Sequence, residues 1–123
     1  MSGNSFVLDT NIISLYLKGD RKLLPYFNYT IIHVSFITEL ELLTGKAYTL
    51  AQSKLINITI KKCHVYNYDN FIKASCMSLR AKYSLKLPDS IIAATAHAYH
   101  LPLFTSDKSF AKLIEIKSSI YTF

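Results

Sequence analysis

Residues 5–17 read Ser-Phe-Val-Leu-Asp-Thr-Asn-Ile-Ile-Ser-Leu-Tyr-Leu, and the fold turns on how this stretch is divided. Phe6, Val7 and Leu8 follow one another with no polar residue between them. Such a run suits a short strand buried on both faces, as in a parallel sheet, rather than a strand with one wet face. Asp9 ends the run. After Thr10 and Asn11, the apolar Ile12, Ile13, Tyr16 and Leu17 recur at helical spacing. The stretch therefore predicts a strand, an acidic junction and a helix. In an open α/β sheet ligands bind at the carboxyl ends of the strands, which makes Asp9 a candidate site residue. Aspartate is also a favoured helix N-cap, and from this stretch alone a cap is at least as good a reading.

Outward from this stretch the same alternation recurs. Residues 18–22 form a polar turn and 23–27 a short helical piece. Residues 31–34, Ile-Ile-His-Val, are mostly apolar and β-branched, predicting a second strand. Ser35 or Thr38 starts the next helix, which runs to Gly45 as its C′ residue. Residues 48–57 predict a helix, 63–66 a third strand and 69–84 a long helix. Residues 87–89 open an Ala-rich helix that runs to Tyr99, with Pro88 where no N–H is needed. Residues 103–104 predict a fourth strand, 109–113 a short helix and 120–123 a fifth strand. Strands alternating with helices imply an α/β fold, a parallel sheet built from βαβ units. With no internal repeat, linker or low-complexity tract, residues 1–123 are expected to form a single domain.

Half of the 123 residues are hydrophobic, enough for a real core. Lys and Arg number 14 against 8 Asp and Glu, a net charge of +6 that favours a polyanionic partner such as RNA or DNA. The opening Met-Ser-Gly-Asn-Ser lacks the basic and apolar regions of a secretory signal. No stretch approaches the roughly 20 apolar residues of a membrane span. Cys63 and Cys76 form no C-x-x-C pair and have no His at ligand spacing, so both read as reduced core thiols. The expectation is a cytoplasmic protein with no membrane attachment. His33, His64, His97 and His100 likewise lack ligand spacing and read as structural.

The acids carry the chemistry. Asp20 and Asp69 fall in turns and Glu115 in a polar surface stretch. Asp9 ends the first strand, Glu39 and Glu41 lie on the helix after the second, Asp89 opens the Ala-rich helix and Asp107 follows the fourth strand. Strand-to-helix junctions of a parallel sheet share one edge, so Asp9 and Asp107 belong together. Asp89 joins them if its helix starts there, and one of the two glutamates completes the set. Asp89 and Asp107 also read individually as helix caps. Carboxylates about 4 Å apart repel by about 4 kcal/mol at an effective dielectric near 20. Either some are protonated or a cation holds them. Oxygen-only ligands favour Mg²⁺ or Mn²⁺ over zinc. Such an ion polarises a phosphate and activates water, which points to metal-dependent phosphodiester hydrolysis.

Four motifs in order then resemble a known family, the PIN domains, in the branch of VapC-type toxins of bacterial toxin–antitoxin pairs. Val7-Leu8-Asp9-Thr10-Asn11 is similar to the family's opening. Ser35-Phe36-Ile37-Thr38-Glu39-Leu40-Glu41-Leu42-Leu43-Thr44-Gly45 resembles its Ser-x-Ile-Thr-x-x-Glu-Leu-x-x-Gly and places the family glutamate on Glu41. Leu87-Pro88-Asp89-Ser90-Ile91-Ile92-Ala93-Ala94 and Thr105-Ser106-Asp107-Lys108-Ser109-Phe110 match the last two. The resemblance spans nearly the whole chain. It implies a three-layer α/β/α fold with a central parallel five-stranded sheet in the order 3-2-1-4-5. It also implies a homodimer, endoribonuclease activity on RNA and a cognate antitoxin. Ser109 stands where many relatives carry a further acid, so the expectation is at least one Mg²⁺ or Mn²⁺.

On this reading Asp9, Glu41, Asp89 and Asp107 are the catalytic and metal-holding residues. Thr10, Asn11 and Thr105 hydrogen-bond the carboxylates from behind, although they are also ordinary cap and turn residues. Lys46, Lys86 and Lys108 are placed to meet RNA phosphates, or to be plain solvated lysines. Two alternatives stay open: a catalytically inactive RNA- or protein-binding module of the same fold, and an RNA-processing nuclease without an antitoxin. A phosphoacceptor receiver domain, which also gathers acids at a sheet edge, needs an acid ending its third strand, and residues 63–67 offer none.

Overall fold

The computed structural model describes residues 5–28, 30–45 and 48–122. Five strands form one sheet: β1 (Ser5–Leu8), β2 (Ile31–Ser35), β3 (His64–Tyr66), β4 (Leu103–Thr105) and β5 (Ser118–Ile120). Their order is β3-β2-β1-β4-β5 and every pairing is parallel, as the resemblance implies. The helices are α1 (Thr10–Leu17), α2 (Leu24–Asn28), α3 (Phe36–Leu43), α4 (Leu50–Lys62), α5 (Asn70–Lys82) and α6 (Leu87–Ala98).

The apolar run of β1 explains the layering. Successive strand residues point to opposite faces, so Val7 enters one core and Leu8 the other. Val7 and Leu103 pack with Ile72 and Leu79 of α5 and with Ile92, Ala93 and Ala96 of α6. Leu8 and Phe104 pack with Ile12, Ile13, Leu42 and Ile56 on the α1, α3 and α4 side. A strand wet on one face could not carry this sequence. Ala93, Ala94 and Ala96 are fully buried, and their small side chains let α6 lie close to the sheet.

Several expected boundaries move. Helix α4 runs to Lys62 rather than residue 57, because Ile56 and Thr59 continue its buried face beyond that point. It opens with a capping box between Thr49 and Gln52. Of the two residues offered as the start of α3, Ser35 is the N-cap, accepting from the Ile37 N–H at 3.1 Å. β5 lies at Ser118–Ile120, earlier than the expected 120–123, whose last residue lies outside the described residues. Its register is set by pairing Ser118 with Leu103 and Ile120 with Thr105, not by the apolar residues that suggested it. Cys63 and Cys76 are free, as expected, but only half-buried. Glu115, expected on a polar surface, is half-buried and clamped by Lys82 at 2.6 Å and the Tyr83 hydroxyl at 2.8 Å.

The strand order places the site. β1 is flanked by β2 on one side and β4 on the other, so the connections run one way from β1 to β3 and the other way to β5. The crevice beyond the carboxyl ends of β1 and β4 is the switch point at which open α/β sheets bind ligands. Among the described residues no helix is long and apolar enough to cross a membrane.

Candidate active site at the switch point

Asp9 follows β1 and occupies the N-cap position of α1, yet its carboxylate makes no cap hydrogen bond. One partner lies across the crevice, on β4, and the other on its own helix. Thr105, the last residue of β4, donates its hydroxyl to Asp9 Oδ2 at 2.6 Å. Asn11 Nδ2 donates to the same oxygen at 3.0 Å. The Asn11 amide is itself oriented by the Ser106 N–H, which donates to Asn11 Oδ1 at 3.2 Å. Thr105 Oγ1 also accepts the Asp107 N–H at 3.0 Å. Asp9 is thereby only 5% exposed. Burial pushes its carboxyl pKa up to about 6, and the charges of Asp89 and Asp107 push the same way. The Thr105 hydrogen bond opposes them.

Asp107 serves two ends. Its Oδ1 caps the 3-10 turn Lys108–Lys112 by accepting the Ser109 N–H at 2.9 Å, and it lines the same crevice as Asp9. Asp89 sits in the first turn of α6, whose N-cap is Lys86. Burial raises the Asp89 carboxyl, with Asp107 and Glu41 adding to the rise and the Lys86 ammonium opposing it. Glu41 projects from α3, exposed, and accepts the Thr10 hydroxyl at 2.7 Å. Thr10, Asn11 and Thr105 therefore each hydrogen-bond a carboxylate of the set.

All four acids line one open cavity of about 320 Å³, together with Thr10, Asn11, Ser14 and Ile92. Glu39, two residues before Glu41 and about 200° around the helix, is not among the lining residues and is half-buried rather than solvated. A larger cavity of about 540 Å³ opens between Phe6, Pro102 and the end of α6 at His97, at the amino ends of the strands and away from the acids. Lys86 and Lys108 are exposed next to Asp89 and Asp107 in sequence; Lys46 falls outside the described residues. His33 Nδ1 lies 3.2 Å from the Tyr66 hydroxyl and His97 Nδ1 2.7 Å from Ser75 Oγ, so both bind neighbouring elements together. Thr38, read from the sequence only as a candidate helix start, and Ser14 were not picked out as residues of the site. The signal for Thr38 was its place three residues before Glu41, on the same helical face.

The donor set is chemically suited to a hard divalent cation: four carboxylates line one cavity, with no Lys or Arg among the residues that line it. Burial raises the carboxyls of Asp9 and Asp89 most, and the neighbouring carboxylate charges add a repulsion that a cation would relieve. Among the described residues no three His, Cys, Asp or Glu side chains stand as a finished metal cage; the acids share a cavity, not a closed coordination shell.

The PIN domain family model matches residues 6–115. The chain belongs to the PIN domain family. The match takes in all four motifs. No curated protein matches the chain significantly in sequence. Among solved structures, this PIN domain is similar to a chain of a toxin–antitoxin complex from Klebsiella pneumoniae, with a TM-score of 0.81 and 29% identity over 96% of this chain and 99% of that one. It shares its fold with chains of VapBC2 from Rickettsia felis bound to a promoter DNA fragment (TM-score 0.82, 17% identity, 96% and 99% covered). The same holds for DNA-bound VapBC from Salmonella typhimurium (TM-score 0.80, 21% identity, 96% and 98% covered).

Proposed function

We propose that this PIN domain is a Mg²⁺- or Mn²⁺-dependent endoribonuclease that cleaves RNA phosphodiester bonds, and that it is the toxin of a toxin–antitoxin pair. The observation that carries the reading is the convergence of Asp9, Glu41, Asp89 and Asp107 on one cavity at the sheet's switch point. Those four would hold the ion, directly or through water. Such an ion would supply charge neutralisation for a phosphate and lower the pKa of a water enough to give a hydroxide nucleophile near neutral pH.

The protein's own groups do the positioning. Thr105 and Asn11 aim the Asp9 carboxylate, and Thr10 aims that of Glu41. Fixed hydrogen bonds of this kind set ligand orientation and tune the ion. Exposed Lys86 and Lys108 supply positive charge for RNA phosphates, which the net charge of +6 reinforces. The similarity to a chain of a toxin–antitoxin complex supports a cognate antitoxin. A basic side chain from its tail would compete for the four carboxylates. We also assign a homodimer, supported by the exposed apolar side chains of Tyr68, Phe71, Met77 and Leu87, and a cytoplasmic location.

Purified protein should cut single-stranded RNA with Mg²⁺ or Mn²⁺ and stop in excess EDTA. Cleavage undiminished by EDTA overturns the metal mechanism. Folded protein that binds RNA and never cuts it points to an inactive binding module. Light scattering that gives a monomer at every concentration removes the homodimer, and full activity with the antitoxin bound removes the inhibition.

A further inference from the structure

The geometry points to Thr38 as a positioning residue for Glu41, acting through Thr10; the inference rests on the reading of Glu41 as one of the ion-holding acids. Thr38 is fully buried in the first turn of α3, three residues before Glu41. Its hydroxyl oxygen lies 3.0 Å from Thr10 Oγ1, which lies 2.7 Å from Glu41 Oε1. The direction of this chain is forced by counting protons. An ionised carboxylate can only accept, and a threonine hydroxyl has one proton to give. Thr10 must give its proton to Glu41, so its oxygen is left to accept the proton of Thr38. The chain therefore runs from Thr38 to Thr10 to Glu41.

The arrangement solves a problem peculiar to Glu41. Asp9 is buried and takes two side-chain hydrogen bonds. Glu41 is exposed, on a long flexible side chain, and Thr10 is its one side-chain hydrogen-bond donor among the described residues. A lone hydroxyl rotor holds a carboxylate only as well as the rotor is held. Thr38, sealed from water, has no solvent partner for its proton and commits it to Thr10. Each link also polarises the next. The chain ties α1 to α3 across the cavity mouth and fixes where Glu41 waits before an ion arrives.

The test uses two variants. Thr38→Val keeps the shape and removes the proton, while Thr38→Ser keeps the proton. Mn²⁺ affinity of the purified protein, measured by titration, should fall about fivefold in Thr38→Val and stay within about twofold in Thr38→Ser, a smaller loss than the roughly 10-fold or more seen on removing a direct partner of a metal ligand. Cleavage by Thr38→Val should recover at saturating Mn²⁺, which a folding defect would not allow. In the metal-free protein the ¹³C resonance of the Glu41 carboxyl should shift in Thr38→Val and not in Thr38→Ser. Unchanged Mn²⁺ affinity in folded Thr38→Val, or equal losses in both variants, overturns the inference. If Thr38→Val does not fold, Thr10→Val cuts the chain at its middle link and must weaken Mn²⁺ at least as much. A wild-type protein that binds no Mn²⁺ sinks the proposed function instead. The Glu41 resonance then decides the inference alone, and its failure to move overturns it.

Discussion

Two aspartates occupy the N-cap positions of helices that follow strands in this molecule, and they behave in opposite ways. Asp69 leads from β3 into α5 and caps it, accepting the Ile72 N–H at 2.8 Å on one oxygen and the Tyr99 hydroxyl on the other. Those hydrogen bonds, with Tyr99 first, hold its carboxyl below the usual range. Asp9 leads from β1 into α1 and makes no cap hydrogen bond. Its carboxylate is held by Thr105 from across the crevice and by the Asn11 side chain of its own helix, while burial takes its pKa up to about 6. A helix start gives an aspartate free backbone donors, which favours stability. Asp9 makes no cap hydrogen bond deeper in α1, keeping only the adjacent Thr10 N–H, and sits beside other carboxylates. A departure from a local rule of this kind is what a functional position is expected to show, and it supports the role proposed for Asp9.

The largest expected effect breaks the pair apart by activity. Asp9→Asn keeps the shape and removes a charge aimed at the ion, so kcat/KM for RNA should fall by about 10²-fold or more. Asp69→Asn, which can still cap, should stay within about twofold. Cleavage by Asp9→Asn at the wild-type rate would mean that the two junctions do not differ in kind.

Next comes pH, where the two aspartates pull in different windows. The folded protein keeps the Asp9 proton up to about 6, whereas an unfolded aspartate loses it near 3.9. Between these values the folded state binds more protons, so stability falls as pH rises from about 4 to about 6, by about 2–3 kcal/mol in the metal-free protein. Asp69 works the other way: its depressed carboxyl adds stability above the unfolded pKa, lost as pH falls below about 4. Metal-free Asp9→Asn should lose most of the slope between pH 4 and 6, and saturating Mg²⁺ should flatten it in the wild type. Thermal melts across that range check both, and an unchanged slope in Asp9→Asn would assign the titration elsewhere.

A smaller effect sharpens the Asp69 side. Asp69→Ala removes a cap and the Tyr99 contact, and should lower the melting temperature by about 3–6 °C. Metal-free Asp9→Asn at pH 7 should melt no lower than the wild type, because it relieves repulsion while keeping an acceptor for Thr105. Calorimetry of the two variants decides the matter, and a larger loss in Asp9→Asn would show that its hydrogen bonds outweigh its charge.

The difference between the two junctions was only half legible in the sequence. The unbroken run Phe6-Val7-Leu8 declares a doubly buried strand, and four motifs in order place Asp9, Glu41, Asp89 and Asp107 near one edge. What no local pattern states is whether a given carboxylate reaches its own helix. Asp69 and Asp9 each stand at the start of a predicted helix, and the partners that separate them, Tyr99 and Thr105, lie 30 and 96 residues away. Asp107 shows that capping and lining the cavity are compatible. β5 was misplaced for a related reason: Ser118-Ser119 has no strand signal of its own and is a strand only because β4 pairs with it. Thr38 was passed over because a buried hydroxyl shows its use only when its acceptor is seen.

The smallest expected effect tests the register of α3, where the contrast between junctions is repeated within one helix. Glu39 and Glu41 are about 200° apart on the helix, so they cannot both face the ion. Glu41 lines the cavity and accepts the Thr10 hydroxyl; Glu39 lies in the first turn of α3, where a negative charge is favourable. Glu39→Gln removes that modest attraction and should cost about 0.5 kcal/mol or less, with cleavage rate and Mg²⁺ dependence nearly unchanged. Glu41→Gln, in contrast, should lose cleavage by orders of magnitude while remaining folded. Its metal-free form should be as stable as the wild type or slightly more so, because Glu41 repels Asp89. Measured side by side, the two variants separate a glutamate that serves its helix from one that serves the cavity. An inactive Glu39→Gln beside an active Glu41→Gln would turn the helix by half a turn and overturn the assignment of the site.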